Sequence, residues 1–150
     1  MESKDVTEST VSEFYEHDHD QLDESFEEYR QLKDSDFETA RDHFMEFYRG
    51  LKTHIKWEEE VMFPEFEDKM REGLTGTMRR EHEQIQEVLE ALREMIEQGD
   101  VPEDRLDRKL LKFLNPHNES EEAVVYPAID RHLSDGEIKQ IFDRMEDFAE

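Results

Sequence analysis

A stretch rich in histidine and glutamate occurs twice in this chain with the same internal spacing. It reads T-H-I-K-W-E-E-E-V-M-F-P over residues 53–64 and P-H-N-E-S-E-E-A-V-V-Y-P over residues 116–127. The offset is 63 positions, from 54 to 117 and from 58 to 121, and it also relates His19 to His82. The chain therefore has two related halves, each with one H-x-x-x-E and one further histidine. Imidazole and carboxylate are common ligands of transition metals in proteins.

Six residues in the two halves could carry this chemistry: His19, His54, Glu58, His82, His117 and Glu121. Each falls where the surrounding helical pattern calls for an apolar side chain, so we expect all of them in the protein interior. A buried carboxylate without a partner costs several kcal/mol or becomes protonated. A bound metal would satisfy the whole set, and a purely structural network of hydrogen bonds is the alternative.

The donor atoms restrict the metal. The chain has no cysteine, which excludes thiolate ligands, iron–sulfur clusters and disulfides. Four imidazoles and two carboxylates are too many for one tetrahedral zinc ion, but they suit two ions that prefer six ligands. This mixture of nitrogen and oxygen favours iron, and then manganese. Each ion would bind two histidines and share both glutamates, with positions left open for solvent or a small ligand.

Hydrophobic periodicity predicts the helices that position these residues. Apolar side chains recur every three or four residues over 11–29, 40–61, 78–96 and 106–128, while no segment alternates with period two. Helices with one apolar stripe each bury it best against one another. We therefore predict an all-α fold, an antiparallel up-down four-helix bundle with a short fifth helix packed over one end. Residues 1–150 form one domain, with a core over 11–133 and the C-terminal helix over 134–149.

Capping and breaking residues predict where these helices begin and end. Capping boxes predict helix starts at Ser35 and Ser134. Gly99 predicts the end of the third helix. Pro64 predicts an end or a kink in the second helix, and Pro116 predicts a kink or a restart in the fourth.

The charge balance restricts partners and location. With 43 acidic and 19 basic residues the formal net charge is -24, which argues against nucleic acid and anionic membranes as partners. No long apolar run and no basic leader followed by an apolar segment is present, so the sequence predicts a cytoplasmic protein without a membrane anchor.

The doubled H-x-x-x-E-E-x-x-x-[FY]-P, with the Asp-His and Glu-His pairs at 18–19 and 81–82, resembles the hemerythrin-like, or HHE cation-binding, family. The resemblance covers roughly residues 11–133 and implies a four-helix bundle around a non-haem di-iron centre, with manganese or zinc as substitutes. It implies that the histidines of the six-residue set are terminal ligands. It also implies that Glu58 and Glu121 bridge the two ions.

The resemblance further implies that the centre binds or senses a small diatomic ligand, oxygen or nitric oxide. Oxygen-carrying members have a second histidine four residues after the ligand of the third helix, where this chain has Gln86. Alternatives are an enzyme acting on peroxide or nitric oxide, and storage or donation of iron for the repair of iron centres. A sensor would need a partner protein to supply its output.

Several neighbours of the motif leave alternatives open. Glu122 is a rival of Glu121 as the bridge, since the predicted kink at Pro116 would rotate it inward. Otherwise Glu59 and Glu122 are expected to support the ligands or to lie at the surface. Asp23 and Gln86 are candidates for contact with the metals or their waters. We expect Trp57, Phe63 and Tyr126 to be packing residues near the site. We expect His17, His43 and His132 to be ordinary surface residues.

Overall fold

The described part of the chain, residues 10–67 and 73–147 of a computed structural model, is almost entirely helical and contains no strand. The helices are α1 (Val11–Leu32), α2 (Phe37–Trp57), α3 (Phe63–Glu67), α4 (Gly73–Glu97), α5 (Asp104–Ser120), α6 (Tyr126–His132) and α7 (Asp135–Glu146). Two π-helical segments, π1 (Glu58–Met62) and π2 (Glu121–Val125), join α2 to α3 and α5 to α6. The predicted all-α class is confirmed. Within these residues, no helix is both long and apolar enough to cross a bilayer.

Helices α1, α2 and α7 begin at a side chain that accepts a hydrogen bond from the first turn. Ser134 caps α7 in a capping box with Glu137, as predicted. The prediction for the second helix is one residue early, because α2 is capped by Asp36 and not by Ser35. The Asp36 carboxylate accepts hydrogen bonds from both the backbone N–H and the hydroxyl of Thr39, at 3.3 and 2.8 Å. These two hydrogen bonds favour Asp36 over Ser35 as the N-cap of α2.

The helix ends follow the prediction at Gly99 and depart from it at the prolines. Gly99 has a φ of 88°, and the following N–H of Asp100 bonds to the Met95 carbonyl at 2.9 Å, which closes α4. Pro116 lies inside α5, which continues to Ser120, so of the predicted kink or restart the restart is wrong and the kink stays a prediction. A proline removes one helical hydrogen bond. Leu114 and His117, on either side of the exposed pair at 115–116, are both buried in this continuous helix.

The irregularity predicted at Pro64 takes the form of a π-helical turn. In π1 the N–H of Phe63 bonds to the carbonyl of Glu58, five residues back. In π2 the N–H of Tyr126 bonds in the same way to the carbonyl of Glu121. Each wide turn ends two residues before a proline, at Met62 before Pro64 and at Val125 before Pro127. Proline has no N–H and would collide with a carbonyl of the preceding turn in a regular helix.

The core consists of two apolar clusters with the polar residues between them. Along each of the four main helical segments, a candidate ligand stands between a residue of the first cluster and a residue of the second. In that order the three residues are Tyr15, His19 and Leu22 on α1; Val61, Glu58 and Ile55 on π1 and α2; Met78, His82 and Ile85 on α4; Val125, His117 and Leu114 on π2 and α5. Helix α1 packs on α2, and α4 packs on α5. The candidate site is therefore enclosed by apolar packing at both ends.

The predicted fifth helix is present as α7 and packs against π1. Its buried residues are Ile141, Phe142 and Met145. The Trp57 indole N–H donates to the Met145 carbonyl at 3.1 Å, and the Tyr15 hydroxyl bonds to the Met145 sulfur at 3.2 Å. The last two predicted residues of this helix, 148 and 149, lie outside the described residues.

The buried face of α5 and π2 differs by one residue from the predicted stripe. The spacing of apolar residues after Leu110 predicts Phe113 and Val124 as inward residues. In the structure Leu114 is buried in place of Phe113, and Val125 is fully buried while Val124 is 50% exposed. Spacings of three and four residues both fit a helix, so the position after Leu110 was ambiguous. The wider π2 turn moves the inward position beyond His117 from 124 to 125.

Candidate metal centre

The six residues singled out by the sequence all lie in the interior, between the two apolar clusters. None is more than 3% exposed. His54 and Glu58 are four residues apart at the junction of α2 and π1, and His117 and Glu121 are four apart at the junction of α5 and π2. That spacing places both side chains of a pair on one helix face. The remaining histidines enter from α1 and α4.

These side chains form two groups that share both glutamates. The first half-site contains His19 and His54 with Glu58 and Glu121. The second half-site contains His82 and His117 with the same two glutamates. In each group the candidate ligand atoms all lie within 4.8 Å of one another. The structure thus brings together all six residues in the two-histidine, two-glutamate arrangement predicted for each of two ions.

The donor atoms of the first half-site have the spacing of ligands around one ion. The Nε2 atoms of His19 and His54 are 3.2 Å apart. Nε2 of His54 is 3.0 Å from a Glu58 oxygen, and Nε2 of His19 is 3.2 Å from a Glu121 oxygen. Ligands bound at about 2.1 Å and at right angles to each other are about 3 Å apart. The first half-site therefore fits a transition-metal ion.

The second half-site contains buried polar atoms that have no hydrogen-bond partner. His82 Nε2 lies 2.9 Å from Glu58 Oε1, and His117 Nε2 lies 3.0 Å from Glu121 Oε2. Among the described residues, His82 Nε2, Glu58 Oε1 and Glu121 Oε2 form no hydrogen bond. His82 Nε2 and Glu58 Oε1 are therefore close to each other but are not oriented to form a hydrogen bond. A buried polar atom without a partner is destabilising. A cation bound between these atoms would satisfy all three.

Each histidine is held from outside by a second carboxylate. Its Nδ1 atom hydrogen-bonds to that carboxylate at 2.6–2.7 Å: His19 to Glu122, His54 to Asp18, His82 to Glu59 and His117 to Glu81. A carboxylate that accepts this bond keeps the proton on Nδ1. The lone pair of Nε2 is then directed inward, which is the tautomer that binds a metal through Nε2.

These contacts distinguish Glu121 from its rival Glu122. Glu121 is fully buried and belongs to both half-sites, whereas the Glu122 side chain is 36% exposed and bonds to the outer nitrogen of His19. Asp23 belongs to neither group. The Gln86 carbonyl oxygen accepts a hydrogen bond from the Lys52 ammonium at 2.9 Å.

The electrostatics of the cluster favour positive charge. Burial alone would lower the pKa of His54, but the carboxylates of Glu58 and Asp18 raise it to about 10. Burial likewise opposes ionisation of Glu121, yet His117 and His19 hold the pKa of this carboxyl well below its usual range. The centre therefore stabilises cationic groups in a site that excludes water.

Tyr126 was predicted to be a packing residue, and this prediction is incomplete. Its ring is fully buried, but its hydroxyl donates to Glu58 at 2.5 Å and lies 2.7 Å from a Glu121 oxygen. The same oxygen is 3.3 Å from Nε2 of both His19 and His54. Burial and the two glutamates raise the pKa of Tyr126 well above its usual range. The hint in the sequence was a tyrosine at the repeat position where the first half has phenylalanine.

The other aromatic residues and histidines match their predicted roles more closely. Phe63 is buried, and its ring stacks on His82 at a centroid distance of 6.0 Å and an interplanar angle of 8°. His17 and His132 are exposed. His43 lies 3.1 Å from a Glu28 oxygen, away from the centre.

The comparisons with known proteins agree with the geometry of the site. The chain matches the family model described as "Hemerythrin HHE cation binding domain" over residues 10–129. It is also 24% identical over 139 residues to a protein of Nostoc sp. strain PCC 7120 named "DNA nickase". That match covers 93% of this chain but only 39% of the relative. No solved structure matches the chain. The resemblance seen in the doubled motif is confirmed, and the chain belongs to the hemerythrin HHE cation-binding domain family.

Proposed function

We propose that this protein holds a carboxylate-bridged pair of iron ions inside an antiparallel up-down four-helix bundle. His19 and His54 would bind one ion, His82 and His117 the other, and the two shared glutamates would bridge them. The observation that carries the proposal is that both glutamates belong to both half-sites. A structural polar network would not require three buried atoms to remain without hydrogen bonds.

The donor set supports iron as the resident metal. Imidazole nitrogens and carboxylate oxygens together suit iron and manganese, and zinc would substitute less well because it prefers four ligands. The carboxylates bonded to the Nδ1 atoms raise the basicity of each imidazole, which strengthens its bond to a metal. Manganese and zinc are thus competitors that metal analysis must distinguish from iron.

The function that we propose is binding or sensing of a diatomic ligand, oxygen or nitric oxide. When bound, the iron pair would supply an open coordination position and could exchange two electrons, one per ion. The chain's own residues orient the imidazoles and exclude bulk water: Phe63 stacks on His82, and Tyr15 packs edge-on against His54 at 5.0 Å between centroids. The apolar clusters on both sides would admit a small uncharged ligand more readily than a charged one.

Metal analysis of the purified chain tests the proposed centre directly. We expect about two iron ions per chain, because each half-site supplies two imidazoles and the shared carboxylates. Glu121→Ala should lower the occupancy of both positions, whereas His117→Ala should mainly affect one. Exposed His132→Ala is the matched control and should retain the wild-type count. A wild-type protein with only traces of transition metal after reconstitution would overturn the proposal.

Stopped-flow spectroscopy of the reduced iron protein tests the ligand. A reversible adduct with oxygen or nitric oxide supports binding or sensing. Turnover of peroxide or nitric oxide would instead support an enzyme, a second candidate favoured by the Tyr126 hydroxyl, a proton donor beside both glutamates. Transfer of iron to an acceptor protein would support storage or donation. The carboxylates that bond to the outer nitrogens of the histidines have side chains that are 22–36% exposed. They mark a short path between the centre and solvent, which iron transfer would need.

We further propose that the protein acts in the cytoplasm, without nucleic acid, and that a sensor role would use a partner protein. The name of the Nostoc relative concerns DNA, but it belongs to a protein of which the match covers only 39%. A net charge of -24 would repel a polyanion. An electrophoretic mobility assay with duplex DNA at low salt should therefore give no shift.

A further inference from the structure

The Tyr126 hydroxyl oxygen lies close to every donor atom of the first half-site. It is 2.5 Å from the Glu58 oxygen and 2.7 Å from the Glu121 oxygen. It is 3.3 Å from Nε2 of His19 and 3.3 Å from Nε2 of His54. A plain hydrogen-bond donor needs one acceptor, and this hydroxyl has one proton to give. The neighbourhood of four donor atoms is therefore more than packing or a single hydrogen bond requires.

These distances distinguish the place of a ligand from the place of the ion. An atom at the ion's own position would be about 2.1 Å from each donor, whereas neighbouring ligands of one ion are about 3 Å apart. The Tyr126 distances of 2.5–3.3 Å match the second case. The oxygen thus lies at the distance from each of the four donor atoms that a fifth ligand of the same ion would have.

The ring of Tyr126 is held in this place by its neighbours. It is fully buried and stacks on the Tyr15 ring at a centroid distance of 5.0 Å and an angle of 27°. Tyr126 also lies next to π2, whose wide turn begins at Glu121. A buried ring in a packed site keeps its hydroxyl in one place, as a ligand must.

The second half-site has no counterpart of this hydroxyl. The residue that corresponds to Tyr126 in the first repeat is Phe63, whose ring stacks on His82 and carries no oxygen. Of the four buried side-chain polar atoms without a hydrogen bond in the described residues, His82 Nε2, Glu58 Oε1 and Glu121 Oε2 belong to this half-site, and only Arg30 Nε lies elsewhere. The two halves of the centre are therefore chemically different although the sequence repeats.

We propose that Tyr126 is a fifth protein ligand of the ion in the first half-site, so that an external ligand binds the ion in the second half-site. This inference rests on the proposed di-iron centre and adds an asymmetry that the six-residue set does not contain. To hold the ion, the Tyr126 oxygen would donate a lone pair to it and its phenol proton would leave to solvent, as for other ligands that must lose a proton. The bound cation supplies the charge that favours the loss.

Resonance Raman spectroscopy of the ferric protein tests Tyr126 without an activity assay. Wild-type protein loaded with iron and oxidised should show a visible charge-transfer band whose excitation enhances tyrosine ring modes. Tyr126→Phe should lose both signals while keeping iron bound by the other six residues. Tyr15→Phe is the matched control, because its ring stacks on Tyr126 but its hydroxyl bonds to the Met145 sulfur. It should keep the wild-type spectrum.

The outcomes separate this inference from the proposed function. Iron bound without tyrosine modes in the wild-type spectrum would overturn the role of Tyr126 and leave the di-iron centre intact, even if the variant does not fold. Equal spectra of wild-type and Tyr126→Phe would do the same. A wild-type chain that binds no iron would overturn both.

Azide binding tests the asymmetry. With six positions per ion, a solvent molecule shared by the two ions would fill the last position of the first ion and leave one open at the second, so the wild-type ferric protein should bind about one azide per iron pair. In Tyr126→Phe the stoichiometry should rise towards about two, because the first ion then loses its fifth protein ligand. Two azides per pair in the wild-type protein would contradict the assignment of the open position to the second half-site.

Discussion

At the scale of single residues, the paired glutamates of each motif have separate tasks. In the first half Glu58 faces both half-sites, while Glu59 bonds to the outer nitrogen of His82. In the second half Glu121 faces both half-sites, while Glu122 bonds to the outer nitrogen of His19. Each glutamate doublet therefore supplies one candidate bridge, and one carboxylate that orients a histidine of the other half. This explains why the motif carries two consecutive glutamates.

Glu81 provides a test of this orienting role, because its carboxylate bonds to His117 Nδ1 at 2.6 Å. Glu81→Gln keeps the shape but removes the charge that fixes the imidazole tautomer. We expect metal affinity to fall roughly 10–100-fold, as when such a partner of a metal-bound histidine is removed. Competition with a chromogenic chelator measures the affinity. The exposed Glu83→Gln makes the same charge change two residues away and should leave the affinity unchanged.

At the scale of secondary-structure elements, the π-helical turns account for the prolines of the motif. Pro64 cannot donate to the carbonyls of the preceding turn. Arginine side chains from elsewhere donate to two of these carbonyls, Arg79 to Glu59 at 3.4 Å and Arg144 to Glu60 at 3.5 Å. The turn that carries Glu58, the first candidate bridge, is thus tied to α4 and α7.

A second inter-element contact joins α1 to α5 far from the metal centre. The buried Lys33 ammonium bonds to Asp107 at 2.5 Å and to the Pro102 carbonyl at 3.0 Å, and the Tyr29 hydroxyl bonds to Asp107 at 3.0 Å. Asp107→Ala would leave the Lys33 charge buried without its counter-charge. Breaking such a pair typically lowers the free energy of unfolding by about 3–5 kcal/mol.

Urea denaturation of the reconstituted protein measures this loss. The double variant Lys33→Met with Asp107→Leu should recover much of it, since apolar residues of similar size replace the pair. Iron content should stay at the wild-type level in both variants while they remain folded, because none of these residues belongs to a half-site. A loss below about 1 kcal/mol in Asp107→Ala would show that the pair is not a major link between α1 and α5.

At the scale of the whole molecule, the excess of acidic residues opposes folding by self-repulsion. A formal charge of -24 on 150 residues is large, and most of these carboxylates lie outside the core. Salt screens charges at distances beyond about 10 Å at 0.1 M and beyond about 3 Å at 1 M. The melting temperature should therefore rise by several degrees between these concentrations.

Scanning calorimetry in sodium chloride and in potassium chloride tests this prediction. Equal shifts in the two salts at the same ionic strength would indicate screening and not binding of one cation. A melting temperature that does not change with salt would contradict the role assigned to the acidic surface. Measurements with and without iron separate this effect from the stabilisation by bound metal.

The sequence alone determined the helical stripes and the six central residues. The apolar residues of α1 and α4 recur with helical spacing, and every residue of the two predicted stripes is buried. His19 and Glu58 interrupt such stripes, and a polar residue on an apolar face must enter the core. Local periodicity fixes the face on which a side chain lies, so this part of the site required no tertiary information.

Only the tertiary structure decided which groups meet across helices. Glu121 and Glu122 are adjacent in the sequence, and the winding of π2 and the position of His19 give them different tasks. Tyr126 looked like a packing residue because periodicity gives its face but not the atom that its hydroxyl reaches. The choice between Leu114 and Phe113 also depended on neighbouring helices. Contacts between segments distant in the chain follow from the packing of whole helices, which no local pattern encodes.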